Sequence, residues 1–216
     1  MELTLTGVVC LVIYVALGLI AVWGAFCVII VLRRVAQIRF RNEAEQVKFL
    51  DELDQFIEAG DFDGAVAVCD GDNRAMSQLA LLAVNNRQLG FGKIRTMLAD
   101  RFQRDVLSDL EYRISWIYTV IKAAPMVGLL GTVIGMMGAF AKLASGDKVD
   151  PTQLADDISF ALVTTACGLA IAVPLVLATA GINVQIRKME DLVSSGLTRF
   201  LEAFKSALAK ASPRKE

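Results

Sequence analysis

Histidine is absent from all 216 residues. Without it, imidazole-based acid/base catalysis, catalytic triads and most zinc or haem sites are excluded. A P-loop is missing too, since no glycine-rich stretch is followed by Lys-Ser or Lys-Thr. Disulfides are not expected: of the four cysteines, Cys10, Cys27 and Cys167 fall in apolar runs and Cys69 in a charged segment read below as cytoplasmic. A net charge of −1 and a pI near 5.6 give no reason to expect nucleic-acid binding. The sequence therefore offers no catalytic residue, no cofactor and no metal site, and an enzyme is not expected.

Two long stretches lack charge and a third carries a single lysine. Mean hydropathy is +0.53 and 55% of residues are apolar, yet 21% are charged, so the charges must be segregated. Residues 7–32 and 158–186 are uncharged, and residues 114–141 carry only Lys122. Each run exceeds the roughly 20 apolar residues that cross a bilayer. This predicts an all-α integral membrane protein with transmembrane helices in residues 1–32, 114–143 and 154–186. A cytoplasmic helical region over 33–113, a periplasmic connection over 144–153 and a cytoplasmic helical tail over 187–216 complete the plan. The first span is not expected to be a cleaved signal peptide, because only Glu2 precedes it, its apolar core is too long and no A-x-A site follows.

Basic residues set the expected orientation. Arg33, Arg34, Arg39 and Arg41 follow the first span, Arg113 precedes the second, and Arg187 and Lys188 follow the third. The 145–157 connection holds Lys148 against four aspartates. The amino terminus is thus expected outside and the carboxyl terminus in the cytoplasm. Lys122 is expected to reach toward the cytoplasmic boundary.

Between residues 33 and 113 the chain has 12 basic and 14 acidic residues in mixed order, as solvated helices do. Val47, Leu50, Leu53 (or Asp54) and Ile57 predict an amphipathic stripe, with Gly60 capping its helix and Asp61 or Asp63 starting the next. Asp61, Asp63, Asp70 and Asp72 do not fit a calcium loop: counted from Asp61, the sixth position is Val66 rather than Gly and the twelfth is Asp72 rather than Glu. They read as helix caps and turns. From Lys93 to Ala124 there is no Gly or Pro, which predicts one helix running into the second span until Pro125; Pro174 is the second expected kink. Asp150, Pro151, Thr152 and Gln153 combine an N-cap, Pro at the first helical position and a closing Gln, so the third helix is expected to start near Pro151. Val193, Leu197, Phe200, Phe204 and Leu208 then carry an amphipathic helix toward Pro213.

Gly128, Gly131, Gly135 and Gly138 recur at helical spacing in the second span, and Gly168 lies in the third. Small residues let membrane helices approach closely, so the Gly131-x-x-x-Gly135 step predicts a packing face and, with it, an assembly. Among the intramembrane hydroxyls are Thr132 in the second span and Ser159, Thr164 and Thr165 in the third. Each can bond its own backbone, bridge to another helix or hold water.

Two segments carry a resemblance. APMVGLLGTVIGMM over residues 124–137, followed by ALVTTACGL over 161–169 and AVP over 172–174, resembles the signature of the MotA/TolQ/ExbB proton-channel family. The three expected spans resemble its ExbB/TolQ branch more than the flagellar stator branch, which has four. The resemblance implies an ExbB-like pentamer in the bacterial inner membrane, its second and third helices around a pore that holds the single-span helices of an ExbD- or TolR-like partner. That partner carries a transmembrane Asp. A TonB- or TolA-like protein and membrane lipid are further implied contacts. By motif position, Thr132 and Thr165 are implied to be pore-facing hydroxyls beside the partner Asp. Family members often carry Glu where this chain has Phe160, which leaves Ser159 as a polar substitute.

The residues lead to the same mechanism by chemistry alone. Threonine does not titrate, and no acid lies between Lys122 and Asp147 or between Asp157 and Arg187. A carboxylate must come from elsewhere. An ionised Asp at mid-bilayer costs about 2.5 to 3.5 kcal/mol on insertion scales, and one charge crossing the field gains about 2.3 kcal/mol per 100 mV. These terms are comparable, so a partner's protonation state can bias its position. The function expected is a proton-channel subunit that energises an envelope process such as TonB-dependent import or Tol-Pal function. A flagellar- or gliding-type stator, driven by protons or sodium, and a non-conducting scaffold are the rival readings.

Overall fold

The longest uncharged runs become the longest helices. In this computed structural model, which describes residues 5–144 and 151–211, every regular element among the described residues is helical. The α-helices are α1 (Leu5–Ile38), α2 (Glu43–Ala59), α3 (Phe62–Cys69), α4 (Ala75–Asn85), α5 (Phe91–Arg101), α6 (Ser108–Ala144) and α7 (Pro151–Ala211). A 3₁₀ turn (Arg87–Leu89) precedes α5, and a π-helical segment (Phe102–Leu107) joins α5 to α6. Three helical stretches are long and apolar enough to cross a membrane by length and composition. Glu2, Lys148, Asp150 and Pro213, which entered the topology and capping expectations, lie outside the described residues, as do the side chains of Cys10 and Gln153. The third long helix does begin at Pro151, inside the stretch assigned to the 144–153 connection.

The chain forms two compact units, one of Met1–Ile30 with Arg113–Gly181 and one of Val31–Tyr112 with Ile182–Glu216. In the first, α1 meets the other two helices where it has no side chain: a Cβ on Gly24 would stand 2.8 Å from Leu175 Cδ1 and 2.9 Å from Val120 Cγ1. Trp23 and Trp116 meet edge to face nearby, and Tyr14 packs the same way on Phe160 with ring centroids 5.3 Å apart. The opposite side of α1 exposes Leu11, Val15, Leu19, Val22 and Phe26, a surface suited to hydrocarbon.

In the second unit, α2 buries Gln46, Leu50, Leu53 and Ile57. This corrects the expected stripe at its first position, since Val47 is 41% exposed. The steps of four, three and four place Gln46 on the buried face, and its amide gains a partner there: Nε2 donates to the Leu192 carbonyl of α7 at 2.6 Å. Gly196 makes room for that amide. Gly60 ends α2 in the left-handed conformation at φ 76, and the Asp61 carboxylate caps α3 by accepting the Gly64 N–H at 2.9 Å. Asp72 accepts from the Arg74 N–H at 3.0 Å and the Ser77 hydroxyl at 2.6 Å, which is turn chemistry. Burial, with the Asp72 charge second, pushes the Cys69 thiol up to about 12, so it stays an inert thiol.

The tail of α7 buries Val193, Phe200 and Phe204, with Leu197 and Leu208 half-buried beside them. Arg199 on the same tail reaches Asp51 at 2.5 Å and Asp54 at 2.9 Å. Between α5 and α6 the expected single helix is interrupted in form though not in path. Across Phe102–Leu107 the ladder widens to a π turn, where the Ser108 N–H and hydroxyl both donate to the Gln103 carbonyl. Pro125 and Pro174 sit inside α6 and α7 and end neither helix.

Candidate functional site

Glycine makes the site by letting two backbones touch. A Cβ on Gly128 would lie 2.7 Å from the Thr164 carbonyl oxygen, one on Gly131 would lie 2.7 Å from Thr164 Cβ, and one on Gly135 would lie 2.9 Å from Ala161 Cβ. From the other side, a Cβ on Gly168 would stand 2.6 Å from the Ala124 carbonyl oxygen and 3.2 Å from Pro125 Cα. No real Cβ tolerates the shortest of these distances, so α6 and α7 are in backbone contact along a face read from both helices. Gly138 is half-buried one turn beyond Gly135. The small-residue face is thus filled by the chain's own α7, and the step from these glycines to an assembly does not follow from them alone.

Within that contact lie the hydroxyls. Thr132 of α6 and Thr165 of α7 are both half-buried and hydrogen-bond to each other through their Oγ1 atoms. Thr165 Oγ1 also reaches the Gly128 carbonyl at 3.1 Å, and Thr132 Oγ1 reaches the Ala161 carbonyl at 3.0 Å. Each hydroxyl has one proton to give. Two ordered arrangements therefore satisfy the geometry: Thr132 donates to Thr165, which donates to the Gly128 carbonyl, or Thr165 donates to Thr132, which donates to the Ala161 carbonyl. They run in opposite directions. In both, an unused lone pair remains on each hydroxyl for a further donor such as water or a protonated carboxyl group.

Thr164 behaves otherwise. It is fully buried, its hydroxyl donates to the Ala161 carbonyl on its own helix at 2.8 Å with the Gly128 carbonyl of α6 farther off at 3.3 Å, and its side chain packs on Gly131. Thr179, which the sequence reading passed over, is buried and bonds its own helix at the Leu175 carbonyl at 2.7 Å. Ser159 is exposed and about 120° around α7 from Thr165, so the structure does not bring it to the threonine pair. Phe160 turns to Tyr14 of α1, so an aromatic contact occupies its position. Lys122 is exposed on α6.

A charged pair also escaped the sequence reading. Lys142, in the last turn of α6, donates to the Asp157 carboxylate of α7 at 2.6 Å. The signal was present as spacing: Asp157, Ala161 and Thr165 fall at steps of four and share one face of the helix.

Residues 74–195, more than half of the chain and including both threonines, match the MotA/TolQ/ExbB proton channel family. The chain belongs to this family. A putative biopolymer transport protein ExbB homolog of Methanothermobacter thermautotrophicus is 28% identical over 160 residues, which are 73% of this chain and 55% of that relative. The biopolymer transport protein ExbB of Helicobacter pylori is 35% identical over 117 residues, 54% of this chain and 77% of the relative. The Tol-Pal system protein TolQ of Haemophilus influenzae is 34% identical over 85 residues, 39% of this chain and 37% of the relative. The chain thus spans about half the length of the Methanothermobacter relative and about a third of the Haemophilus one. Relatives named ExbB and TolQ put it on the ExbB/TolQ branch, and with its three apolar helices it is a multi-pass membrane protein. The family is one of channels rather than enzymes.

Proposed function

We propose that this chain is the proton-channel subunit of an inner-membrane motor of the ExbB–ExbD or TolQ–TolR kind, which turns proton flow into work on an envelope process. The reading assembles the chain as a pentamer around single-span partner helices, each bearing a transmembrane Asp, with a TonB- or TolA-like protein as the driven component. One observation carries it: the two threonines in the family's motif positions bond to each other across α6 and α7, in spans whose interiors contain no acid. Such a pair accepts from a protonated carboxyl through its unused lone pairs, and by turning its terminal proton away from the backbone carbonyl it donates to an ionised one, without holding the transported proton itself. ExbB and TolQ relatives, rather than flagellar ones, favour an envelope motor over a stator.

Thr132→Val and Thr165→Val test the reading, because each removes a hydroxyl at nearly constant shape. The complex is purified with its co-expressed partner, and proton flux into vesicles is measured. Both variants should keep partner binding and lose most of the flux, whereas Thr164→Val, whose hydroxyl makes its shorter bond to its own helix and stands outside the Thr132–Thr165 bond, should lose far less. Undiminished flux in both motif variants would return these side chains to a packing role.

A further inference from the structure

The Lys142–Asp157 pair lies on the same contact as the threonines, at the end of α6 and α7 nearest their connection. On α7, Asp157 is two turns before Thr165 with Ala161 between, and all three face α6. The backbone confirms this facing, since a Cβ on Gly135 would lie 3.1 Å from the Asp157 carbonyl oxygen and the Ala161 carbonyl accepts from Thr132. Eight residues of helix separate Asp157 from Thr165 by about 12 Å along the axis. Asp156 is exposed and a hundred degrees off this face, and Phe160 offers no titratable group. The ion pair is also a poor clamp: its side chains are 40% and 25% exposed, and pairs of that kind contribute about 0 to 1 kcal/mol.

We propose that Asp157, held by Lys142, is the carboxylate that takes up protons for the Thr132–Thr165 pair. The inference rests on the proton-channel reading above. Hydronium protonates an Asp157 carboxylate oxygen and leaves as water, and the neutral acid releases Lys142. The proton then passes inward to water, which carries it over the remaining distance to the partner carboxylate beside the threonines. The O–H bond on Asp157 breaks, the negative charge returns and Lys142 re-engages.

The test uses the full complex with its co-expressed partner and measures proton flux in vesicles alongside Thr165→Val as a reference. Asp157→Asn should keep the assembly and lower flux roughly a hundredfold, the low end of what a positioned proton-transfer group contributes. Asp157→Glu should restore most of it. Lys142→Met breaks the same ion pair but spares the carboxylate, so its loss of flux should fall well short of the loss in Asp157→Asn. Equal losses in Asp157→Asn and Lys142→Met would overturn the proposal and make the pair a clamp. Unchanged flux in Asp157→Asn, or loss of partner binding in that variant, would overturn it as well. If Thr165→Val and Thr132→Val conduct normally while Asp157→Asn does not, the threonine reading fails and Asp157 belongs to some other path.

Discussion

Four of the five threonines in the apolar spans look alike in the sequence and part company in the structure. Thr179 gives its proton to a carbonyl of its own helix, and Thr164 makes its shorter bond the same way at 2.8 Å against 3.3 Å to the Gly128 carbonyl across the contact; this is how membrane helices ordinarily satisfy a hydroxyl. Thr132 and Thr165 reach across to the other helix and to each other. Only the family motif distinguished them beforehand, because the destination of a hydroxyl depends on how close the opposing backbone comes. A second residue-scale contrast lies in the other unit, where Asp54 Oδ2 meets Arg199 while Oδ1 is buried without a partner. Burial raises the Asp54 carboxyl above its ordinary 3.8, and Arg199 offsets this only in part. A raised folded value means that the folded state holds the proton longer, so the contribution is present below 3.8 and is lost as pH rises through the folded value. Melting of the unmodified chain and Asp54→Asn should therefore be compared across mild acid. The stability advantage of the unmodified chain should shrink as pH increases, and an advantage that grows with pH would contradict the burial account.

At the scale of the elements, the prediction concerns α6 and α7. Gly131→Leu must drive a side chain into Thr164, and overpacking of that kind costs about 3 kcal/mol or more where a backbone lies behind it. Gly18 faces open space on α1, so Gly18→Leu is the matching control. Melting in mild detergent should fall sharply for the first and hardly change for the second, with oligomers on native gels lost only for the first. Equal melting of the two variants would mean that α6 and α7 do not touch there. The packing face was legible because glycine at three- and four-residue steps has few other uses in a membrane helix. Its partner was not legible, since a sequence does not say whether a smooth face meets its own chain or another. The π turn was readable only in outline: Ile94, Leu98, Phe102, Leu107, Leu110, Ile114 and Ile117 face inward, and the one step of five, from Phe102 to Leu107, is where the ladder widens. Val47 was misplaced for a related reason. A stripe counted on apolar residues alone skips a buried amide such as Gln46, whose partner lies 146 residues away on α7.

For the whole molecule the sequence carries most of the plan, because the bilayer allows few solutions. Three apolar runs of spanning length, with Lys122 their one charge, are expected to be helices, as every backbone group in hydrocarbon has to find its partner within the segment. Orientation is argued from charge alone. Arg33, Arg34, Arg39 and Arg41 crowd the end of the first apolar run, and Arg187 and Lys188 follow the third, whereas residues 145–157 hold one lysine against four aspartates. Moving those arginines across a membrane is the costlier choice, which predicts residue 42 and residue 210 on the cytoplasmic side and residue 147 outside. Reporters fused after these three positions should read inside, outside and inside. An outward report after residue 42 would invert the map and place the Lys142–Asp157 pair on the cytoplasmic side. Asp157 could not then take protons from the side where the proton motive force supplies them, so proton uptake through it would have to be abandoned even if the threonine pair still conducted.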